Sequence, residues 1–159
     1  MYWVDWGHPD NASIYRSWMD GSHRTQIVAG LKKPYDVAVD FEQSRLLWTL
    51  GDDDRIGSSG MEGQNVQISV QAKAKSRPVG IGVHKGRIYW TTNFGRSLQS
   101  SNSFGKNIQV LFTDTRRLHR LVVVPGNQNL NSSRRNDCEN HKCANVCALT
   151  PKSFACVQG

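Results

Sequence analysis

The residues of this chain with the most distinctive chemistry are four cysteines near the C-terminal end: Cys138, Cys143, Cys147 and Cys156. An even, clustered set that follows a cysteine-free stretch is typical of a small disulfide-bonded module from an oxidising compartment. A zinc site is the alternative, because His141 lies nearby. The spacing lacks the paired C-x2-C arrangement of zinc sites, which favours disulfides.

No other set of residues has the spacing of a catalytic or metal centre. The histidines form neither H-x-x-x-H nor H-E-x-x-H patterns; they are His8, His23, His84, His119 and His141. The acidic run at residues 52–54 could bind a cation, but a solvated turn is the simpler interpretation. There is no nucleophile elbow and no phosphate-binding loop. We therefore predict a non-catalytic protein with no catalytic residue, no metal and no cofactor.

The charge balance favours anionic partners. Lys and Arg number 20 against 13 acidic residues, which gives a net charge of +7. Acidic protein surfaces and sulfated glycans suit such a balance, although a soluble surface rich in basic residues is the alternative. Nucleic acid is not an expected partner, because no stacking aromatics interleave the late basic stretch. That stretch contains Arg116, Arg117, Arg120, Arg134, Arg135 and Lys142.

A sequence repeat of 42 residues extends over most of the chain. Gly21, Gly63 and Gly105 are separated by this interval, and an aromatic or aliphatic strand precedes each of them. A repeat of this length that is rich in short strands predicts an all-β protein, built as a radial or stacked array of small sheets. Each sheet is expected to be antiparallel, with four strands joined by short hairpins.

The predicted strands follow from alternation and turn residues. They cover residues 35–40, 45–49, 55–59, 65–70, 79–83, 87–91, 97–101 and 107–112, with a further inner strand at 120–124. Pro34 and Pro78 are expected just before strands, because proline cannot donate a ladder hydrogen bond. Trp3, Trp48 and Trp90 recur in the repeat and are interpreted as core. Two further tryptophans, Trp6 and Trp18, are better candidates for exposed contacts.

Three segments follow from these patterns. We expect a repeat domain over residues 1–125, a polar linker over 126–137 and the cysteine module over 138–159. Asn11 and Asn131 open N-x-S sequons and are candidate glycosylation sites. No apolar run approaches the ~20 residues that cross a bilayer, and no signal segment leads the chain. Because residue 1 already belongs to a strand, we expect the chain to be part of a longer extracellular protein.

The repeat resembles a known family. Tyr2-Trp3-Val4-Asp5, Tyr89-Trp90-Thr91-Thr92 and MDGS at residues 19–22 resemble the YWTD repeats of the low-density-lipoprotein-receptor family. That resemblance implies a six-bladed β-propeller, of which this chain would be the C-terminal half with about three blades. The motif's aspartate is present only as Asp5, since Leu50 and Thr92 replace it elsewhere.

The cysteine-rich tail resembles the start of the EGF-like module that follows such propellers, with four of its six cysteines. The resemblance implies the disulfides Cys138–Cys147 and Cys143–Cys156. The acidic residues of a calcium-binding EGF module are missing before Cys138, so no calcium site is expected.

By this resemblance the chain is a ligand-binding module of an endocytic or signalling receptor, whose parent is a single-pass cell-surface glycoprotein. The expected partners are a protein ligand and the remaining blades of the parent. A matrix linker with the same propeller–EGF units is the alternative, and a calcium-dependent propeller hydrolase is a weaker one. His119 and His141 flank the propeller–EGF junction and could loosen it near pH 6. The end blades are expected to expose apolar faces that drive association.

Overall fold

The computed structural model describes residues 1–7, 11–114 and 118–123, and the backbone of two later strands. The described residues are organised as strands; their one helical element is a single 3-10 turn at Gly51–Asp53. No helix in these ranges is long and apolar enough to cross a membrane. The all-β class expected from the repeat is therefore confirmed.

The first sheet, sheet 1, has three antiparallel strands in the order β1-β2-β3. They are β1 (Tyr2–Asp5), β2 (Ala12–Arg16) and β3 (Thr25–Leu31). Trp3 lies opposite Tyr15 in the β1–β2 register. Because β1 carries the tryptophan that marks the second strand of the later repeats, sheet 1 has no counterpart of their first strand.

The next two sheets have the four strands that the repeat predicts, in chain order from one edge to the other. Sheet 2 contains β4 (Pro34–Asp40), β5 (Arg45–Leu50), β6 (Arg55–Gly60) and β7 (Gln67–Gln71). Sheet 3 contains β8 (Pro78–His84), β9 (Arg87–Thr92), β10 (Ser97–Asn102) and β11 (Gln109–Thr113). We refer to β4 and β8 as the inner strands.

Two details of the strand prediction were wrong. Pro34 and Pro78 are the first residues of their strands rather than the residues before them, since the first position of a strand tolerates a missing N–H. The inner strand expected at 120–124 is not formed over its described residues, 120–123: residues 118–123 belong to no sheet, although they lie against β8. A strand needs a partner for its backbone groups, and none of the described strands is available to this segment.

The sheets pack face to face at two interfaces, which we call the first seam and the second seam. At the first seam, Ile14 and Val28 of sheet 1 meet Leu46 and Trp48 of sheet 2. At the second seam, sheet 2 and sheet 3 bury the cluster of Leu47, Ile56, Val70, Ile81, Ile88 and Trp90. Both faces of sheet 2 are thus covered, as in stacked sheets that bury one continuous core.

The tail contributes one hairpin to the described structure. β12 (Val146–Leu149) pairs antiparallel with β13 (Phe154–Val157), and Cys147 lies opposite Cys156 in the backbone register. Cys138 and Cys143 lie outside the described residues, as does the linker expected at 126–137. The disulfide pairs, the EGF-like module and the domain boundaries therefore stay predictions.

Candidate functional site

Aromatic and basic side chains from all three sheets meet at the end of the molecule where the inner strands begin. Trp6 follows β1, Tyr35 is the second residue of β4, Arg77 precedes β8 and Phe94 follows β9. These four residues form a continuous array, and we call the surface they share the Arg77 end. Trp6 is 52% exposed and Phe94 is 55% exposed, so both ends of the array are open to solvent.

Arg77 connects the members of the array. Its Nη2 donates a hydrogen bond to Tyr35 Oη and lies 3.2 Å from Asp52 Oδ1. The guanidinium carbon lies 5.3 Å from the ring centroid of Tyr35 and 5.2 Å from that of Phe94, which is the geometry of cation–π contacts. The hydrogen bond with Tyr35 raises the pKa of Arg77, so this cation stays charged at any physiological pH.

The acidic turn before β6 positions Arg77. Asp54 lies in the left-handed conformation after the 3-10 turn, and its carboxylate accepts the backbone N–H groups of Lys75 and Arg77 at 2.6 and 2.7 Å. Asp52 forms ion pairs with Lys33 and Arg77. Asp52 and Asp53 are exposed, as expected of a solvated turn, and the turn also supports the loop that carries Arg77. The described part of the chain contains no cluster of three or more potential metal ligands.

Trp6 extends the array across the first seam. Its indole nitrogen donates a hydrogen bond to the carbonyl oxygen of Pro34, and its ring meets Tyr35 edge-on with centroids 5.4 Å apart. Such edge-to-face pairs contribute about 0.5–1.5 kcal/mol beyond area burial. The expectation that Trp6 and Trp18 are exposed is confirmed, since Trp18 is 40% exposed.

A cavity of about 320 Å³ lies beside the array. Its walls come from Tyr35, Asp36, Arg77, Val79, Asn93, His119 and Arg120. Two polar atoms that are buried here, Asn93 Oδ1 and Arg77 Nε, have no hydrogen-bond partner in the described structure. Buried polar atoms without partners are costly, and because both atoms are closed off from solvent, a ligand could reach them only if the side chains around the cavity moved.

Asp36, in the wall of this cavity, has a structural role. Its carboxylate accepts the backbone N–H of Val37 at 2.9 Å and that of Ile81 at 3.0 Å, which joins the two inner strands. Burial raises the pKa of Asp36, and Arg120 acts in the opposite direction. Asp36 therefore contributes to the second seam as well as to the electrostatics of the cavity.

The predicted motif residues lie in the sheets and do not form a site together. Trp48 and Trp90 are almost wholly buried, at 1% and 0% exposure, whereas Trp3 is half-buried. Tyr2 donates a hydrogen bond to the carbonyl oxygen of Met61 at 3.2 Å. Asp5 forms an ion pair with Arg24 at 3.0 Å, and Tyr89 is half-buried on the outer face of sheet 3.

Other candidate residues are only partly described. Asn11 is exposed just before β2, a position that a glycan could reach. His119 is exposed at the cavity, but His141 and Asn131 lie outside the described residues. Of the late basic stretch only Arg120 is described. Glycosylation and the pH switch therefore stay predictions.

Tyr35, Arg77 and Phe94 were missed by sequence reasoning. Tyr35 lies within β4, Arg77 directly precedes β8 and Phe94 follows β9. Tyr35 and Arg77 are 42 residues apart but differ in residue type, and the residue 42 positions before Phe94 is Asp52, so the repeat did not mark them as a set. The one local signal of this site was Arg77 itself, a basic residue directly before Pro78. Nothing in the sequence indicated that Arg77 would contact Tyr35, Asp52 and Phe94.

Comparison with known proteins identifies the repeat. Residues 1–41 match the family model for the low-density lipoprotein receptor repeat class B. Residues 1–41 therefore have the sequence pattern of a class B, or YWTD, repeat. No curated protein sequence shows significant similarity to the chain.

Solved structures agree with this assignment. This chain is similar to the nidogen propeller of a nidogen/laminin complex, with 27% identity and a TM-score of 0.65, over 74% of this chain and 45% of that one. Regucalcin from Agrobacterium tumefaciens, a calcium-binding protein, shares the fold at 11% identity and a TM-score of 0.61, over 71% and 40% of the two chains. A gluconolactonase from Xanthomonas campestris matches at 16% identity and a TM-score of 0.58, over 69% and 37%. The chain therefore spans less than half the length of each of these structures.

Proposed function

We propose that this chain is an extracellular, non-catalytic protein-interaction module that binds a protein ligand at the Arg77 end. The observation that carries the proposal is the exposed array of Trp6, Tyr35, Arg77 and Phe94 beside a cavity with two unpaired polar atoms. Aromatic residues and arginine are the side chains most enriched at the energetic centres of protein interfaces.

The chemistry of the Arg77 end suits a ligand segment with a carboxylate flanked by apolar groups. The cationic guanidinium of Arg77, which lies between the rings of Tyr35 and Phe94, can attract an acidic side chain of a ligand. Trp6 and Phe94 offer apolar ring surface on either side of that point. No nucleophile with an adjacent base is part of the array, which favours binding over hydrolysis.

The biological setting follows from the YWTD repeat. We place the module in the ectodomain of an endocytic or signalling receptor related to the low-density lipoprotein receptor, followed by an EGF-like segment. The parent protein in this setting is a single-pass membrane glycoprotein. The similarity to the nidogen propeller supports the extracellular location.

Peptides selected from a phage-displayed random library on the immobilised chain test the ligand site. We expect the selected peptides to contain Asp or Glu and to bind Arg77→Ala at least about tenfold more weakly, because a charged hydrogen bond contributes about 1.5–3 kcal/mol. Arg87→Ala is the matched control, since Arg87 is a partly buried arginine at the opposite end of sheet 3 with its own side-chain hydrogen bond. Peptides that bind Arg77→Ala as tightly as the wild type would overturn the assignment.

A matrix linker is the second candidate function, because the similar nidogen propeller was solved in a complex with laminin. Surface plasmon resonance with immobilised laminin tests it. Binding that is lost in Phe94→Ser supports a laminin-type ligand at the Arg77 end, whereas no binding by the wild type argues against the linker role.

Sulfated glycans are a third class of ligand, favoured by the net charge of +7. Retention on heparin-agarose measures this binding. Because most of the late basic stretch lies away from the Arg77 end in sequence, we expect the same elution salt for the wild type and for Phe94→Ser. No retention at physiological ionic strength would remove glycans from the list of ligands.

A further inference from the structure

The loop that carries Arg77 also covers a second cavity, beside the outer strands β10 and β11 of sheet 3. The volume of this cavity is about 330 Å³, and Lys73 and Lys75 form part of its wall, so we call it the lysine cavity. Both lysines are exposed, and neither forms an ion pair with a residue that the structure describes. The described residues that line the cavity include no acidic side chain. The lysine cavity therefore carries two positive charges that no carboxylate in its wall balances.

The backbone that carries the two lysines is held on both sides. The N–H of Ser76 donates to the carbonyl oxygen of Lys73 at 3.1 Å, which closes a tight turn. The carbonyl oxygen of Ser76 accepts the N–H groups of Phe94 and Gly95 of sheet 3, at 3.2 and 3.3 Å. The carboxylate of Asp54 holds the same loop from the turn before β6. The lysines therefore project from a backbone whose position is fixed before any ligand binds.

Neutral polar side chains of sheet 3 line another part of the lysine cavity. Gln99 is only 6% exposed, and its amide nitrogen donates a hydrogen bond to Ser97 Oγ at 2.9 Å. Ser97 Oγ lies 2.9 Å from Thr92 Oγ1, so a short network fixes the amide. Thr113 of β11 adds an exposed hydroxyl. The cavity thus combines two cations with hydroxyl and amide groups, which both donate and accept hydrogen bonds.

Ser76 is a second, independent indication of a ligand. It is 4% exposed and lies in the wall of the cavity, yet its Oγ has no hydrogen-bond partner among the described residues. Buried hydroxyl groups without a partner are rare because they are costly. Oγ is closed off from solvent in this rotamer, but rotation about χ1 moves it between staggered positions without moving the backbone. A polar ligand in the cavity would supply the partner that the free chain lacks.

The sequence features that build the lysine cavity are specific to the second seam. The segment at residues 70–78 has nine residues, whereas its counterpart at 28–34 has seven, and the two additional residues lengthen the loop that carries both lysines. In sheet 2 the place of Gln99 is taken by Gly57, which has no side chain to offer. The repeat alone therefore does not produce the cavity. Additions to surface loops are a common way in which binding sites are built on a repeated scaffold.

We propose that the lysine cavity binds a sulfated glycan, with a sulfate group beside Lys73 and Lys75 and the hydroxyls of its sugar unit on Gln99 and Thr113. Lysine ammonium groups act on an anion as point charges, whereas arginine has the planar fork that suits a carboxylate. The hydroxyl and amide groups match sugar hydroxyls, which also both donate and accept hydrogen bonds. An acidic peptide side chain would leave these groups unused, so the chemistry of the wall favours the glycan.

The size of the lysine cavity suits one sulfated sugar unit. Its volume of about 330 Å³ lies at the lower end of ligand pockets, which measure about 300–1,000 Å³. The assignment rests on the extracellular setting of the proposed function, but not on the peptide site at the Arg77 end. Because the net charge of +7 attracts glycans to the whole surface, the experiment must separate the lysine cavity from the overall charge.

Isothermal titration calorimetry with a heparin-derived tetrasaccharide at physiological ionic strength tests the site. We expect Lys73→Gln/Lys75→Gln to weaken binding at least about tenfold, because charge-assisted hydrogen bonds are lost. The matched control is Lys85→Gln/Lys106→Gln, which removes the same two charges from exposed lysines at the opposite end of sheet 3. The control should weaken binding less than about threefold, since salt screens distant charges. Equal weakening by the two pairs, or no binding by the wild type, would overturn the proposal.

Ser76→Ala separates a ligand contact from a structural role. Because Ser76 Oγ has no partner in the free chain, its removal should leave the melting temperature unchanged or raise it. Binding of the tetrasaccharide should weaken about threefold to tenfold, as expected for the loss of one hydrogen bond. Unchanged affinity would overturn this contact.

Three further ligands identify the group that is recognised. A desulfated tetrasaccharide should bind at least about tenfold more weakly than the sulfated one, and equal binding would overturn the proposal. Inorganic sulfate and inorganic phosphate should not displace the tetrasaccharide at equal concentration; displacement by either would make the cavity a simple anion site and overturn the glycan assignment. The acidic peptides selected on the wild type should bind Lys73→Gln/Lys75→Gln as tightly as the wild type. Failure of the glycan site and failure of the Arg77 site are thus measured separately.

Discussion

Sheet 2 and sheet 1 are built from the same repeat but differ in what covers them. Both faces of sheet 2 are buried, with Leu47 and Trp48 at 0% and 1% exposure on opposite sides. Sheet 1 has one such face, and its other side leaves Trp3 and Tyr15 partly in solvent under the guanidinium of Arg24, 4.2 Å from the Tyr15 centroid. The tryptophan position of the repeat is therefore buried core in sheet 2 and partly exposed surface in sheet 1. The difference depends on whether a neighbouring sheet packs on that face rather than on the local sequence.

The largest effect that separates the two sheets should come from their tryptophans. Trp48→Ala leaves a cavity at the first seam and should lower the free energy of unfolding by about 3–5 kcal/mol. Trp3→Ala removes a half-buried ring and should lower it by only about 1 kcal/mol. Urea unfolding of both variants at the same protein concentration measures the difference. Equal losses would mean that Trp3 is already part of a core.

The repeated glycines should give the next largest difference. Gly63→Ala places a methyl group against the carbonyl oxygen of Ile27, which adds about 1–3 kcal/mol of overlap to the cost of positive φ. Gly21→Ala incurs only the backbone cost, about 1 kcal/mol. Thermal unfolding of both variants at the same protein concentration compares the two. Gly21→Ala as damaging as Gly63→Ala would show that the space beside Gly21 is filled.

A smaller, pH-dependent effect should come from Asp36 at the second seam. Because burial raises its pKa in the folded state, folding favours the protonated form. The contribution of Asp36 to stability is then complete below the ordinary aspartate pKa of about 3.9 and is lost as pH rises through the raised folded-state value. Urea unfolding at a series of pH values should show this decline in the wild type. Asp36→Asn should remove it, and an identical pH profile in the variant would exclude Asp36 as its source.

The smallest effect is expected at the solvent-exposed edge of the first seam. Arg16 of sheet 1 forms an ion pair with Glu62, whose side chain is 63% exposed. Exposed pairs of this kind contribute about 0–1 kcal/mol. Arg16→Ala should therefore change the urea midpoint far less than Trp48→Ala. A loss as large as that of Trp48→Ala would mean that the seam depends on charge rather than on apolar packing.

Sequence reasoning succeeded where a residue type recurs with the repeat. The interval between Gly63 and Gly105 predicted the sheets, and the tryptophan positions predicted the core, because alternation and turn chemistry are local properties. The Arg77 end could not be predicted, since Arg77 meets Tyr35, Asp52 and Phe94 only after the sheets pack. The strand expected at 120–124 failed for a related reason: its own sequence suits a strand, but a strand also needs a partner.

Hydrogen exchange measured by mass spectrometry tests the central claim that the same repeat position is core in sheet 2 and surface in the end sheets. The account predicts the slowest amide exchange at β5 and β6 of sheet 2, and faster exchange at β1 of sheet 1 and β11 of sheet 3. Exchange at β1 and β11 that is as slow as at β5 and β6 would contradict the account.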